Sequence, residues 1–566
     1  MPQTGPAPDI PVPDQSFQGR AAVEVSFPDG FPAVGSAPPR PSFDTRAYPA
    51  HREEMYIPPA DDPLSALDRN WPLAIILVIQ AALSVRLIWS NTAFPDEALY
   101  LVAGHLEWGH WLDGSNISSI ALPTYFSGSP VVYPPLGALA DTLGGLAGAR
   151  LLSLAFMLAA TCLLHGTARR LFDRRTALFA SVLFAGVGST QFLGAFATYD
   201  AMALFLLTAA TWIAVRAAIC GKASTVVALL VLAGLALALA DAAKYAAALF
   251  DPVVIGTGIL ASWRVQGRSG AVRAALILPA TLAVLVAIAL RAGGPAYWHG
   301  IQFTTLSRQT GNYPIFGILY VSAGWLGAVL FFAAIGLATA IVSRPALPEK
   351  LLAGLLTVAL VLAPAEQARI HVFTSLFKHV GYGAWFGCII AGYALASFSN
   401  AVPVRKRRKA ACVAVVATLC GMISGALLAS DHFSGWPNVT SYEVALAPWL
   451  ADSHGPILMD TASVQEYYLR LYNDLATITN STYFAYTDPA TGKRITQPAA
   501  AYADAIKHRY FSLITLEYGN APDVFDPGIV QDIGRYGGYR LVSSIPYRLQ
   551  SNAGRFLTYV REGSAG

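Results

Sequence analysis

Apolar residues run through this chain in long stretches rather than in alternation. Residues 71–89 carry a single ionisable side chain, Arg86, among consecutive aliphatic and aromatic residues. A helix of about 20 apolar residues crosses some 30 Å of hydrocarbon, and by that measure roughly eleven spans are expected. They centre near Ile79, Phe156, Leu183, Leu206, Leu232, Ile255, Val284, Phe331, Leu356, Ile389 and Val416. After residue 429 the texture changes. Short apolar runs around Ile457, Leu513, Leu541 and Leu557 alternate with helical stretches around Gln465, Ala503 and Ile529, the pattern of a small α/β unit.

Composition narrows the class. Hydrophobic residues make up 55% of the chain and charged residues only 13%, too few to cover a soluble surface, so an ordinary soluble enzyme is excluded. The basic loops give the orientation. Arg169, Arg170, Arg174 and Arg175, then Lys222, then Arg264, Arg268 and Arg273, then Arg344 and Lys350, then Arg405 to Lys409 all fall on the same alternate side. By the positive-inside rule that side is the cytoplasm. An odd number of spans then leaves the N-terminus inside and everything after residue 429 outside, in a multi-pass protein of the cytoplasmic membrane.

Three segments are therefore expected: a disordered, Pro- and Gly-rich cytoplasmic tail over residues 1–70, a membrane part over 71–429, and an extracytoplasmic α/β domain over 430–566. The first apolar run is long enough to span and is expected to remain as a signal anchor. None of the five cysteines falls in the exported segment, so disulfides and cysteine zinc sites are not expected there.

The chemistry gathers on the outer side. Asp96-Glu97 follows the first span directly, and residues 98–113 and 131–146 read as two helices lying in the membrane interface. Tyr199-Asp200, Asp241, Lys244, Arg308, Glu366, Arg369, Lys378 and His379 all stand at outer ends of spans. Ionisable groups near membrane depth cost about 2.5 to 3.5 kcal/mol on insertion scales, so a cluster on one face marks a site. Blander readings stand beside it: Arg86 snorkelling to the interface, Asp241 pairing with Lys244, and Tyr133 as a belt aromatic. His105 and His110 lack a complete ligand set and read as interfacial polar residues.

In order along the chain stand Pro95-Asp96-Glu97, Tyr133-Pro134-Pro135-Leu136, a Gly-rich approach from Gly144 to Ala149-Arg150, and Thr198-Tyr199-Asp200. These motifs resemble the GT-C superfamily of membrane glycosyltransferases, in particular the bacterial aminoarabinose transferases and the dolichyl-phosphate-mannose-dependent protein O-mannosyltransferases. The resemblance implies a GT-C fold with a polyprenyl-phosphate sugar donor and a lipid, cell-envelope glycan or protein acceptor. It implies Asp96 as general base, Glu97 as its neighbour, Asp200 as a second acidic group, Lys244 as a phosphate contact, and Tyr133 and Tyr199 in the substrate cavity. Many relatives have a Lys just before the Pro-Pro pair, where this chain has Ser129-Pro130-Val131-Val132-Tyr133. Arg308, Lys378 and His379 are expected to hold the donor phosphate in its place.

Those residue types suit the reaction. Displacing a phosphate from an anomeric carbon needs a base for the incoming hydroxyl and cations for the charge that develops on the leaving group. A single displacement inverts the anomeric centre. The rival reading is a transporter or flippase of lipid-linked substrates, which calls for internal repeats and midplane polar residues. No cofactor is required by the sequence, a divalent metal stays open, and no nucleic-acid partner is indicated.

Overall fold

A computed structural model of the chain describes residues 63–115, 126–344, 346–401, 404–470, 478–480, 484–488, 490–519, 525–549 and 552–563. Of the expected N-terminal tail, residues 1–62 lie outside the described residues.

The helices are α1 (Pro63–Ile88), α2 (Pro95–Asp113), α3 (Tyr133–Leu171), α4 (Arg174–Gly186), α5 (Gly188–Leu193), α6 (Tyr199–Ala218), α7 (Ala223–Ala243), α8 (Asp251–Ile301), α9 (Ile315–Ser343), α10 (Leu347–Arg369), α11 (Leu376–Ala401) and α12 (Arg407–Phe433). Nine helical stretches among the described residues are long and apolar enough to cross a membrane. The apolar runs near Ile255 and Val284 lie in one of them, α8, which breaks at Gly267, where φ is 72°. The run near Leu183 is divided between α4 and α5, whose chain turns at Val187.

Glycine and proline set the remaining breaks. Helix α3 joins an initial segment to a long span across Gly144 and Gly145 (φ 60°), so the second interfacial helix and the span after it form one bent element. Its two prolines sit at the first turn, where a missing N–H removes no helical bond. Helix α2 lies directly on this turn: a Cβ on Gly104 would stand 2.0 Å from the Pro134 carbonyl oxygen.

The bundle has two chemically different ends. Helices α6 and α11 carry Asp200 and Lys378 in their first turns and finish beside basic groups. There Arg264 reaches Glu349 at 3.0 Å, Arg344 reaches it at 3.7 Å, and Arg175 bonds to Asn400. Between the ends, small residues on α11 let the helices close up, and Trp385 is fully buried.

Beyond α12 come α13 (Thr440–Ala451), α14 (Ala462–Leu469), α15 (Pro498–Lys507) and α16 (Asp526–Tyr536) around a five-stranded sheet of order β2-β1-β5-β7-β6. Its strands are β1 (Ile457–Met459), β2 (Ile478–Asn480), β5 (Leu513–Tyr518), β6 (Tyr539–Arg548) and β7 (Ala553–Arg561), with a separate pair β3 (Tyr486–Thr487) and β4 (Arg494–Ile495). Strands β1, β2 and β5 are parallel, while β5, β7 and β6 run antiparallel. Strand β5 is central and buried on both faces, which is why it reads as an unbroken apolar run. This layer caps the end of the bundle that carries Asp200 and Lys378. Tyr442, Tyr467 and Phe556 share one apolar cluster with Ala93, Leu101 and Ala149.

A latch ties the layers together. Asp141 on α3 is 2.7 Å from His105 on α2 and accepts from the Tyr467 hydroxyl and, at 3.4 Å, from Arg470. Arg86 is exposed near the end of α1 and donates to the Ala426 carbonyl at 2.6 Å and to Ser430, fastening α1 to α12.

Candidate active site

The two adjacent carboxylates at the start of α2 have opposite surroundings. Helix α2 starts at Pro95, which puts Asp96 and Glu97 in its first turn, where the helix dipole favours negative charge. Glu97 turns inward and is fully buried. It accepts from Arg150 Nε (2.9 Å) and Nη2 (2.7 Å), from Ala197 N (2.8 Å) and from Phe94 N (3.0 Å). Arg150 also donates to the carbonyls of Ile88 (2.7 Å), Asn91 (2.9 Å) and Thr92 (3.1 Å). This one ion pair thus clasps the end of α1, the start of α2, α3 and the turn before α6. Glu97 therefore stands apart from the cavity group in which the sequence reading set it.

Asp96 faces outward, with its side chain 36% exposed, and meets Lys378 Nζ at 2.7 Å. The same ammonium is 3.7 Å from Asp200 Oδ2, and Lys244 Nζ is 3.1 Å from Asp200 Oδ1. Asp200 has no exposed surface, and Thr198 Oγ1 donates to it at 3.1 Å. Groups from α2, α6, α11 and the link after α7 therefore form an alternating chain: Asp96, Lys378, Asp200, Lys244. The expected pairing of Lys244 with Asp241 is replaced: Lys244 turns to Asp200, and Asp241 shares a hydrogen bond with Asp251.

Beside this chain lies a cavity of about 320 Å³ lined by Ser127, Lys244, Tyr245, Thr304, Thr305, Arg308, Gln367, Ser375, His379 and Tyr382, among others. Arg308 lies beyond the end of the preceding span, and burial draws its pKa down from the ordinary value. His379 Nδ1 is 3.2 Å from Gln367 Nε2. This wall is largely helical: α10 runs to Arg369 and α11 begins at Leu376.

Tyr199 stands beneath Lys244, whose Nζ is 4.6 Å from the ring centroid. Its hydroxyl accepts from Tyr100 at 2.6 Å and is bonded to Ser127. Burial first, and then the charge of Asp96, raises the Tyr100 phenol well above its ordinary pKa, so it stays protonated. Tyr133 is fully buried and packs edge-on to Tyr199 at 6.4 Å; neither ring lines the cavity itself, and Tyr199 reaches it through Ser127.

Comparison with known proteins gives this geometry a context. Residues 138–291 match the family model described as dolichyl-phosphate-mannose-protein mannosyltransferase. The fold is similar to that of ArnT from Cupriavidus metallidurans bound to undecaprenyl phosphate, with a TM-score of 0.55, 15% identity, and coverage of 89% of this chain and 100% of that one. The family match covers part of the chain, and over nearly all of its length the chain shares the fold of this membrane enzyme. The same fold appears in the archaeal oligosaccharyltransferase AglB from Archaeoglobus fulgidus, in complex with an inhibitory peptide and a dolichol-phosphate. There the TM-score is 0.52 at 15% identity, covering 84% of this chain and 74% of that one. Apo ArnT gives a TM-score of 0.51 at 18% identity, over 89% and 99% of the two chains. No curated protein sequence matches the chain.

Within this fold, Asp96, Asp200, Lys244 and Lys378 come together in one chain of contacts, with Arg308 and His379 at the cavity beside it. Sequence reasoning missed Ser127, Tyr100, Thr304, Thr305 and Tyr382, neutral residues with no charge to betray them. It also missed the purpose of Arg150, although the motif around it was visible. His105 proves to be part of the Asp141 latch. Elsewhere, Asp488, Asp504 and His508 hold ligand atoms within 4.8 Å of one another on the C-terminal layer.

Proposed function

We propose that this protein transfers a sugar from a polyprenyl-phosphate carrier to an acceptor hydroxyl on a lipid, a cell-envelope glycan or a protein, at the outer face of the cytoplasmic membrane. The observation that carries the reading is the chain Asp96, Lys378, Asp200, Lys244 beside a cavity that Arg308 also lines. Two carboxylates against three cations leave a surplus positive charge, which suits a phosphate. A lysine ammonium has three protons to donate, so Lys378 and Lys244 each have capacity left for phosphate oxygens while holding their carboxylates. ArnT, bound to undecaprenyl phosphate, and AglB, bound to a dolichol-phosphate, share the fold.

In the reaction Asp96 takes the proton of the acceptor hydroxyl. The freed oxygen attacks the anomeric carbon, and the bond from that carbon to the phosphate oxygen breaks with its electron pair. The charge that appears on the phosphate is met by Lys244, Lys378 and Arg308, whose attraction is strengthened in a site largely closed to water. One displacement inverts the anomeric configuration. Asp200 holds the two lysines at the spacing the phosphate needs, and Glu97 holds the turn that presents Asp96.

Residues 71–429 carry the reaction in this reading, and residues 430–566 form an extracytoplasmic layer over the acceptor side. The test is transfer by purified Asp96→Asn protein with a lipid-linked sugar donor. Loss of transfer with intact folding supports the assignment, and near-wild-type turnover removes Asp96 from the base role. Transfer from a nucleotide sugar with no lipid carrier overturns the donor class.

A further inference from the structure

A file of three hydroxyl groups ends at the cavity wall. Ser127 lines the cavity and its Oγ is bonded to the Tyr199 hydroxyl, which in turn accepts from Tyr100 at 2.6 Å. The two tyrosines are 1% and 5% exposed, and their ring centroids lie 4.2 Å apart.

Each hydroxyl has one proton to give. Tyr100 spends its proton on Tyr199. Tyr199 then gives its own to Ser127, because a phenol is the stronger acid and an aliphatic hydroxyl the better acceptor. The Lys244 ammonium above the Tyr199 ring polarises the phenol in the same sense. Ser127 is left with its proton pointed away from the file, and donation along such a chain strengthens the last donor. The backbone holds it there: Tyr245 N donates to the Ser127 carbonyl at 2.9 Å, and Ser129 N to the Ala242 carbonyl at 2.7 Å. A Cβ on Gly128 would stand 2.0 Å from the Ala243 carbonyl oxygen, so the loop can approach this closely only through glycine.

What shares the wall decides the ligand. Lys244 and Arg308 bring positive charge to the wall, while the carboxylate on it, Glu366, is held by Arg369 at 2.7 Å and Thr304 has given its proton to the Gly300 carbonyl at 2.7 Å. Cationic donors of this kind favour an anion, and phosphate oxygens accept from each of them. We propose that Ser127 donates a hydrogen bond to a phosphate oxygen held in this cavity, and that Tyr100 and Tyr199 are positioning residues that aim and strengthen it. This rests on reading the cavity as the donor-phosphate site.

The experiment measures heat protection of the full-length protein in detergent by undecaprenyl phosphate, with undecaprenol and inorganic phosphate as separate probes. Ser127→Ala is expected to weaken undecaprenyl phosphate binding about tenfold, the scale of a hydrogen bond to a charged group. Ser127→Thr should restore it. Tyr100→Phe should weaken binding about two- to threefold in the wild-type background and not at all in Ser127→Ala, because the file then has no end. If Ser127→Ala does not fold, Ser127→Cys, a weaker donor of similar size, carries the test.

Binding within twofold of wild type for Ser127→Ala overturns the proposal, as does the same Ser127 dependence with undecaprenol, which has no phosphate. An equal effect of Tyr100→Phe in both backgrounds overturns the file. A Ser127-dependent response to inorganic phosphate alone supports a contact to phosphate independent of the lipid. If undecaprenyl phosphate fails to protect even the wild type, the reading of the cavity itself falls, an outcome distinct from a wild type that is protected together with an equally protected Ser127→Ala.

Discussion

Adjacent carboxylates that differ this much should fail in opposite ways when neutralised. In Glu97→Gln the shape is kept but a buried ion pair is broken, with both partners at 0% exposure. The amide nitrogen must then face either Phe94 N and Arg150 Nη2 or Arg150 Nε and Ala197 N, donor against donor in both orientations. Leaving one charge of a buried pair uncompensated costs about 3 to 5 kcal/mol. At 1.4 kcal/mol per factor of ten that is roughly a thousandfold in the folded-to-unfolded ratio. Asp96→Asn acts on a side chain that is 36% exposed, and Lys378 keeps Asp200 at 3.7 Å, so its stability should change by less than about 1 kcal/mol. Its transfer rate should nonetheless fall by about 10² to 10⁴, the worth of a general base. Thermal unfolding in detergent, followed by the monodisperse fraction after heating, separates the two when run beside a transfer assay. A Glu97→Gln protein that keeps wild-type stability and loses transfer would refute the reasoning and move Glu97 into the chemistry.

Replacing both Lys244 and Lys378 with alanine should abolish protection by polyprenyl phosphate, and undiminished protection contradicts the phosphate assignment. Reporter fusions placed after Ser430 should be active only outside the cytoplasm, and a cytoplasmic signal would reverse the topology. Burial raises the Glu443 carboxyl to about 8. A carboxyl raised on folding contributes its stability fully below the ordinary value and loses it as pH rises through 8, so the melting temperature should fall between pH 6 and pH 9. Glu443→Gln should flatten that fall, and an unchanged slope would assign it to other groups. Asp141→Asn should expose the C-terminal layer to limited proteolysis by weakening the bonds to His105, Tyr467 and Arg470, and an unaltered cleavage pattern would show that the latch carries no strength.

The spans were legible because bilayer thickness imposes one length on every apolar run, and so were strands β1, β5, β6 and β7 and the helices between them. Strands β2, β3 and β4 were not: β3 and β4 have two residues each, and Ile478-Thr479-Asn480 of β2 is largely polar, unlike the equally short but wholly apolar Ile457-Leu458-Met459 of β1. Asp96, Asp200, Lys244 and Lys378 were visible because a charge at a span end is rare. What stayed hidden was direction. Glu97 and Asp96 are neighbours in sequence, and only the position of Arg150 turns one inward and leaves the other free. Tyr133 and Tyr199 could not be told apart as packing and site, because an aromatic ring at a membrane interface serves both uses.

Asp96 and Lys378 stand 282 residues apart, on the second helix and the eleventh. A ribosome delivering this chain into the membrane therefore completes Asp200 and its partner Lys244 in successive hairpins, while Asp96 waits at the surface through the making of most of the bundle. The buried carboxylate receives its counter-charge early and the exposed one late, which is the order their tolerance of water requires. A chain ending before α11 holds Asp96 without Lys378 and leaves the alternating row of charges incomplete.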